Sequence, residues 1–304
     1  MLASLPVALL VAGAFMTAGR EEGLPPGQQA AAAAPRLYDE GVPETGYLRV
    51  RAGDYEVVLS AAKAWTIYEI HYAGELLAGA TGHYGTVLTP KGGNWIGTGH
   101  SEGGREIVHS LRLTVDGRDC AVEPGATVEG RRIELTKSST IHKFAATHTI
   151  TVTDAETIEH AVLRATEDHD LKKLYFFMHC WPKETDAWIA QPLEGDVVQG
   201  GFANDGGQQV RANTRWTAQH LPGRDLGLLC YTPHTLVTPT SMSFIWDHER
   251  YHKYYTQHND GASFKQGDEL DYTMVVKVVP GETGDWTATR AAAADLESRY
   301  PPTP

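Results

Sequence analysis

Hydrophobic and polar residues alternate along most of the chain between residues 47 and 280. This period of two is typical of β-strands that bury one face and expose the other. In residues 270–278, for example, Asp271, Thr273 and Lys277 fall on the face opposite the apolar side chains. The same pattern predicts further strands at residues 54–59, 65–72, 107–115, 131–135, 142–152, 157–165, 174–181, 208–212, 226–231 and 241–246.

Turn and helix signals complete the predicted fold. Asp116-Gly117 and Glu129-Gly130 each carry a glycine of the kind that a tight hairpin turn requires, because such turns need a positive φ. The alanine-rich residues 291–298, which precede two prolines, predict one C-terminal helix. Many short strands without alternating helices indicate an all-β fold, an antiparallel multi-stranded β-sandwich with a short C-terminal helix.

The N-terminal region has a different composition. Residues 1–19 form an apolar block that ends in small residues, as in a signal peptide, and residues 20–37 are an Ala/Pro-rich linker. We therefore expect residues 38–304 to form a single β-sandwich domain with its C-terminal helix, in a secreted or periplasmic protein. No other segment is apolar over a bilayer's length, so membrane insertion of the mature chain is not expected.

Charge and cysteine content narrow the function classes. The 304 residues carry a formal net charge of -12 and no basic run interleaved with aromatic residues, which excludes a nucleic-acid partner. The chain has three cysteines, an odd number for an exported protein. Two alternatives stay open, buried thiols throughout or one bridge between Cys180 and Cys230. No cofactor and no metal is expected.

A glycine-rich stretch, residues 83–105, is the first candidate for chemistry. Its glycines allow the backbone to approach a ligand, and His100 with Glu102 forms an acid/base pair two residues apart. The alternative is a solvated hairpin loop. Within this stretch, the catalytic candidates are His83, His100 and Glu102, and the substrate-binding candidates are Asn94, Trp95 and Arg105.

The second candidate is the segment of residues 246–255, in which acid/base groups and aromatic rings are concentrated. Tyr251 and His252 are candidate catalytic residues, and Trp246, Arg250 and Tyr254 are candidate substrate contacts. The alternative is an aromatic cluster that packs two strands together. A third group, His179 and Trp181, lies in a nearly continuous apolar strand; both are predicted to contact substrate, although a lone histidine there also suits a hydrogen-bonded core.

The same segment contains His248-Glu249-x-x-His252, with His258 at the position of a third zinc ligand. On a helix, the two histidines would share one face and the glutamate would activate a metal-bound water, as in a zinc metallopeptidase. Tyr255 stands where that family needs a glycine, and the residues before His248 predict a strand. The zinc peptidase therefore remains an alternative only.

Residues 38–280 resemble the galactose-mutarotase-like β-supersandwich in length, strand density and a broad sheet rich in histidine and tyrosine. Sugar epimerases and domains of many polysaccharide lyases share that fold. The resemblance implies a polysaccharide or oligosaccharide partner and a carbohydrate-active enzyme, foremost a polysaccharide lyase that uses His/Tyr acid-base β-elimination on a uronate-containing glycan. It implies that Asn94, Arg105 or Arg250 neutralises the uronate carboxylate. A non-catalytic carbohydrate-binding β-sandwich is the alternative.

Overall fold

A computed structural model describes residues 46–79, 84–97, 100–235 and 240–302. The predicted signal peptide and linker lie outside the described residues, and so does His83. All described elements belong to one compact unit, residues 37–304. Within this part of the chain, 22 strands form three sheets, and one α-helix lies near the C-terminus.

Strands are numbered in chain order, whereas their neighbours within each sheet follow a different order. Across the five-stranded sheet lie β4 (Glu75–Ala78), β3 (Thr66–Tyr72), β2 (Tyr55–Ser60), β1 (Tyr47–Ala52) and β9 (Thr127–Glu129). Across the ten-stranded sheet lie β15 (Val198–Gly201), β14 (Ala187–Pro192), β17 (Thr214–Leu221), β18 (Leu226–Tyr231), β22 (Glu269–Pro280), β12 (Thr157–Ala165), β11 (Phe144–Thr153), β10 (Arg132–Ile141), β7 (Ile107–Val115) and β8 (Arg118–Cys120). The seven-stranded sheet contains β16 (Gln208–Ala212), β19 (Ser241–Asp247), β20 (His252–Asp260), β13 (His169–Trp181), β5 (Tyr84–Pro90) and β6 (Ile96–Gly97), with β21 (Ser263–Phe264) paired to β13.

The architecture confirms the predicted all-β antiparallel fold with one C-terminal helix, α1 (Thr287–Arg299). Asp116-Gly117 forms the expected hairpin between β7 and β8, with φ angles of 50° and 79°. The second predicted hairpin is wrong. Strand β9, which ends at Glu129, pairs in parallel with β1 rather than folding back on β10, so Gly130 needs no positive φ.

The core lies between the inner faces of the ten-stranded and seven-stranded sheets. Phe176 of β13 stacks on Tyr272 of β22 with ring centroids 3.6 Å apart, and both rings are almost completely buried. Helix α1 covers the opposite face of the ten-stranded sheet, where its Leu296 joins a second apolar cluster with Val275. The seven-stranded sheet therefore has an inner face in the core and an outer face directed away from it.

Strand β20 shows how the sequence divides between these two faces. Alternate residues of a strand point to opposite sides. His252 and Tyr254 are each 1% exposed and point inward, whereas Lys253 and Tyr255 point outward. Their cross-strand partners on β13 and β19 follow the same division, so the outward side chains of three adjacent strands form one surface.

The fold decides between the two alternatives for the cysteines. No disulfide joins any two of the three cysteines: Cys180 lies on the outer face of β13 and Cys230 in the core, so the alternative of a Cys180–Cys230 bridge is excluded. A search of the described residues finds no helix with the length and apolar character needed to span a membrane.

Candidate functional site

A row of aromatic rings runs across the outer face of the seven-stranded sheet. Trp95 lies next to Tyr175, with ring centroids 5.6 Å apart, and Tyr175 contacts Tyr255 at 5.3 Å. Phe244 on the neighbouring strand is 6.1 Å from Tyr255. The row exists because cross-strand pairing places the outward residues of β13, β20 and β19 side by side. We call Trp95, Tyr175, Tyr255 and Phe244 the ring row.

The ring row ends in a cluster around Lys253. The Lys253 Nζ lies 4.7 Å from the ring centroid of Tyr255, 5.6 Å from that of Tyr251 and 5.7 Å from that of Trp246. These distances are those of cation–π contacts. Burial lowers the pKa of the Lys253 ammonium below its ordinary value, while the neighbouring Cys180 thiol acts in the opposite direction. We call Lys253 with Trp246, Tyr251 and Tyr255 the lysine cage.

His248 extends the lysine cage toward the β19–β20 turn. Its imidazole stacks on Tyr251, with centroids 4.3 Å apart, and meets the edge of Trp246 at 5.0 Å. The Arg250 backbone N–H donates to His248 Nδ1 at 3.3 Å, so a neutral imidazole carries its proton on Nε2. Burial, and then the positive charge of Lys253, lowers the pKa of His248. The imidazole is therefore a neutral hydrogen-bond donor at pH 7.

An acid/base pair lies at the other end of the ring row. His100 is next to Trp95, with ring centroids 5.8 Å apart, and its Nδ1 is 3.1 Å from Glu102 Oε1. With Nδ1–H donated to the carboxylate, the proton-accepting lone pair of His100 is on Nε2. Burial acts to raise the pKa of Glu102, but hydrogen bonds from backbone N–H groups and His100 outweigh it and lower the pKa. The carboxylate therefore stays charged and can stabilise a protonated His100.

Two glycines hold the loop that carries this pair. Gly97 has a φ of +128°, and a Cβ there would collide with the carbonyl oxygen of Thr86. At Gly103, a Cβ would collide with the backbone of Asn94, and the Gly103 N–H donates to Trp95 O at 2.8 Å. This close approach is the physical reason for the glycine density noted in the sequence, and it positions Trp95 beside His100.

Four predicted site residues lie on the inner side of the sheet, which corrects their assignment to catalysis or to substrate contact. The predicted catalytic residue His252 is 1% exposed, as are the predicted substrate contacts His179, Trp181 and Tyr254. Burial lowers the pKa of His252 to about 4 and raises that of Tyr254 to about 12. Strand alternation directs all four side chains away from the outer face, so they contribute to the core and not to a surface site.

His252 belongs to a buried hydrogen-bonded group at the base of the β19–β20 hairpin. Its Nδ1 is 2.6 Å from Thr185 Oγ1, and its Nε2 is 3.1 Å from Asp247 Oδ1. Lys183 donates to the same Asp247 oxygen and to His248 O. Burial acts to raise the pKa of Asp247, but Lys183 and His252 lower it overall. This group fixes the turn that presents Tyr251 and Lys253.

The zinc peptidase alternative is wrong because the segment is a β-hairpin. β19 ends at Asp247 and β20 begins at His252, so His248 and His252 are not one helical turn apart on a shared face. Among the residues that the structure describes, no group of three or more histidine, cysteine, aspartate and glutamate side chains has the arrangement of a metal site.

The remaining predicted contacts are surface residues. Asn94 and Arg105 are exposed, and Asn94 Oδ1 accepts a hydrogen bond from the Trp95 N–H at 3.0 Å. Arg250 is exposed in the hairpin turn with its Nε 3.4 Å from Glu249 Oε1. Tyr251 contacts Lys253 and His248, while His100 contacts Trp95, so the structure places these two predicted catalytic residues at opposite ends of the ring row.

The sequence did not single out Tyr255 and Tyr175, it indicated His248 only as a zinc ligand, and it gave Lys253 no role in catalysis or substrate binding. One available signal was the period of two: once Trp246 is assigned to the outer face, its cross-strand partner Lys253 and then Tyr255 must share that face. Tyr175 carries no such signal, because the pairing of β13 with β20 joins residues distant in sequence.

A second polar group, absent from the sequence predictions, is buried between the two large sheets. Lys137 Nζ lies 2.9 Å from Glu106 Oε1 and donates to Ala64 O at 2.7 Å, and Ser139 donates to Glu106 at 2.7 Å. His148 Nε2 is 2.9 Å from Thr86 Oγ1, and burial lowers the pKa of His148 to about 3. These groups face one another across the core, away from the ring row.

Comparisons with known proteins rest on structure. No protein-family model matches the sequence, and a search of curated proteins also finds no match. Solved structures similar to this chain include an α-galactosidase of glycoside hydrolase family 36 from Geobacillus stearothermophilus, with 12% identity, a TM-score of 0.49, and coverage of 77% of this chain and 40% of that one. An α-galactosidase from Lactobacillus brevis has 8% identity and a TM-score of 0.49, with 77% and 39% covered.

A galactose mutarotase related enzyme from Lactobacillus acidophilus is also similar, with 9% identity, a TM-score of 0.45, and coverage of 76% of this chain and 97% of that one. The similar structures thus include the group that the sequence pattern resembles. The chain spans about 40% of the length of the α-galactosidases it matches.

Proposed function

We propose that the outer face of the seven-stranded sheet binds a carbohydrate chain along the ring row. The observation that carries this proposal is the continuity of the rings from His100 and Trp95, through Tyr175 and Tyr255, to the lysine cage. Sugar rings present apolar C–H faces that pack on aromatic rings, while hydroxyl groups bond to polar side chains at the edges. Trp95, Tyr255, Tyr251 and Trp246 are half-buried, so part of each ring surface remains accessible, whereas Tyr175 and Phe244 are buried and serve to position those rings.

We further propose that the protein is a polysaccharide lyase for which a uronate-containing glycan is the substrate. In this reaction His100 Nε2 takes the proton next to the uronate carboxylate, a carbon–carbon double bond forms, and the glycosidic carbon–oxygen bond breaks. The protonated His100 then returns its proton to the leaving oxygen. Glu102 supports both steps, because its negative charge stabilises the protonated imidazole between them.

The test is an assay of alginate, pectate, glucuronoxylan and hyaluronan, following the unsaturated product in the ultraviolet together with new reducing ends. His100→Ala should lower turnover by about 10²–10⁴-fold, the usual contribution of a general acid-base group. The matched control is His160→Ala, which removes another histidine–carboxylate pair (His160 Nε2 to Asp271 Oδ1, 2.9 Å) from the other large sheet and should leave turnover unchanged. Absence of any product from the wild type would rule out the lyase.

A non-catalytic carbohydrate-binding protein is the second candidate, and the ring row alone favours it. In that case the wild type binds oligosaccharides of the same panel without cleaving them. His100→Ala would then change affinity slightly at most, whereas loss of Trp95 would weaken binding. The two candidates differ in product formation, which one assay measures.

Export is the remaining proposal, supported by the apolar block of residues 1–19. The mature protein is expected to begin between Ala18 and Pro35. N-terminal sequencing of protein expressed in its native secretion context checks this, and an intact Met1 in the cytoplasmic fraction would contradict it.

A further inference from the structure

Lys253 differs from the buried Lys137 and from the half-buried Lys183. Lys137 is paired with Glu106, and Lys183 is paired with Asp247. Lys253 is 7% exposed, and no described carboxylate lies within ion-pair distance of its Nζ. Its neighbours across the sheet are Cys180 on β13 and Trp246 on β19, neither of which is anionic at pH 7. The ammonium is instead surrounded by three aromatic rings.

Aromatic rings compensate only part of the cost of burying an ammonium group. Cation–π contacts replace some of the lost hydration, but a ring face accepts no strong hydrogen bond from the three N–H donors of lysine. Charge-assisted bonds to an anion are the stronger interaction. The lysine cage thus has the chemistry of a site that is completed by an anionic ligand.

We propose that the lysine cage is a subsite for one carboxylate of an acidic sugar residue. Lys253 is the residue that makes the protein prefer acidic glycans over neutral ones. This proposal rests on the carbohydrate binding proposed above. The carboxylate bonds to Lys253 Nζ, and the pyranose ring that carries it packs against Trp246 or Tyr255. His248, a neutral donor on Nε2, is placed behind Tyr251 and adds no repelling negative charge.

The position of the lysine cage distinguishes it from the reaction centre. Trp95, Tyr175 and Tyr255 lie in succession between His100 and Lys253. The carboxylate held by Lys253 therefore belongs to a sugar residue further along the chain than the one at His100. Binding it fixes the register of the glycan on the ring row, a role separate from neutralising the carboxylate of the reacting uronate, for which the resemblance implies Asn94, Arg105 or Arg250.

The net charge of -12 restricts what this subsite binds. A dense polyanion is repelled by the molecule as a whole, since charges of one sign create a field over the surface. A single buried cation flanked by rings suits a glycan in which acidic residues are separated by neutral ones. We therefore expect glucuronoxylan oligosaccharides to bind more tightly than fully acidic pectate oligosaccharides of equal length.

The experiment is calorimetric titration with oligosaccharides from the four polysaccharides named above and with the same oligosaccharides after reduction of each carboxylate to a hydroxymethyl group. Wild-type protein should bind the acidic form of its best ligand about ten- to a hundredfold more tightly than the reduced form, the usual range for a charge-assisted bond. Lys253→Met should abolish that preference while retaining affinity for the reduced form, and Lys253→Arg should preserve it. Lys265→Met, which removes an exposed lysine paired with Asp168, is the matched control and should behave as wild type.

The outcomes separate the two proposals. If acidic and reduced forms bind equally, or if Lys253→Met keeps the preference, the carboxylate subsite is wrong and carbohydrate binding stands. If no oligosaccharide in either form binds, carbohydrate binding fails and the subsite fails with it. If Lys253→Met does not fold, Lys253→Gln takes its place. The ratio of wild-type affinities for the acidic and the reduced oligosaccharides then decides, together with that variant, whether the subsite exists.

Discussion

At the scale of single residues, the chain accommodates buried charged side chains in two ways. Glu106 and Lys137 form a buried ion pair with further hydrogen bonds, so each charge has a partner. Lys253 lies among rings on a surface that we assign to ligand binding. The first arrangement stabilises the core by satisfying its charges, whereas the second leaves interaction energy available for a ligand.

Asp247 provides the residue-scale prediction for stability. It is fully buried and accepts hydrogen bonds from Lys183 and His252, so Asp247→Ala leaves the buried His252 and the half-buried Lys183 without their acceptor. We expect a loss of about 3 kcal/mol in the free energy of unfolding, measured with urea. Asp119→Ala, which removes an exposed pair with Arg112, should cost less than about 1 kcal/mol. Equal costs for the two variants would contradict the role given to Asp247.

His148 provides the prediction for pH dependence. Burial lowers its pKa from 6.5 to about 3, so the folded state keeps it neutral while the unfolded chain protonates it below pH 6.5. The unfolded state therefore binds more protons between these pKa values, and stability falls as pH decreases through that window, by at most about 1.4 kcal/mol per pH unit. Urea unfolding from pH 7 to pH 4.5 measures this slope. In His148→Asn the slope should be smaller than in the wild type by the equivalent of about one bound proton.

The control for this measurement keeps the histidine and removes its partner. Thr86→Val deletes the hydroxyl that lies 2.9 Å from His148 Nε2. It should lower stability at every pH and leave the slope unchanged. A slope that stays the same in His148→Asn would show that other groups cause the acid sensitivity.

At the scale of elements, the loop of residues 94–103 places Trp95 and His100 on the outer face. Gly103→Ala introduces a Cβ that collides with the Asn94 backbone, so the loop must shift. We expect oligosaccharide affinity to fall about tenfold with little change in the urea midpoint, because Gly103 and Asn94, which would collide, are both exposed. Gly223→Ala, at a position with open space and no positive φ, should change neither quantity. If Gly103→Ala binds oligosaccharides with wild-type affinity, the position of this loop does not matter for binding.

Strands flanked by clear turns could be predicted from the sequence, and others could not. Residues 157–165, 208–212 and 226–231 were predicted with the bounds that β12, β16 and β18 have. Burial alternates along β12, whereas all six residues of β18 are buried, so the bounds of β18 follow from its flanking turns and not from a period of two. β9 was missed because its three residues pair in parallel with a strand distant in sequence. Turn chemistry at Glu129-Gly130 therefore predicted a hairpin that tertiary pairing excludes.

The site could be predicted only in part for a related reason. Trp95, His100, Glu102, Trp246 and Tyr251 were named from their chemistry, and the structure places them on or beside the outer face. His252 and Tyr254 were named from the same short segment, although the alternation of β20 directs them inward. Sequence proximity marks a segment rich in reactive groups, while the period of two decides which of them share a surface.

At the scale of the whole molecule, the two large sheets have different partners. The ten-stranded sheet packs its inner face on the core and its other face on α1. Arg299 attaches α1 to the turn before β12, because its guanidinium donates to both Glu156 carboxylate oxygens, at 2.6 and 2.7 Å. The seven-stranded sheet shares the core and presents the ring row on its outer face. In our proposal, this asymmetry leaves the outer face of the seven-stranded sheet free for ligand binding while the ten-stranded sheet is covered on both faces.

The most direct test of the central claim is calorimetric titration of the oligosaccharide panel, in acidic and reduced forms, against Trp95→Ala, Trp246→Ala and Tyr72→Ala. Trp95 and Trp246 lie at the two ends of the surface, and each stacking contact is worth about 1 kcal/mol or more, so both variants should bind about tenfold more weakly than wild type. Tyr72 is a half-buried aromatic residue of the five-stranded sheet, and its loss should leave affinity unchanged. Wild-type affinity in both tryptophan variants would contradict a carbohydrate site on this face.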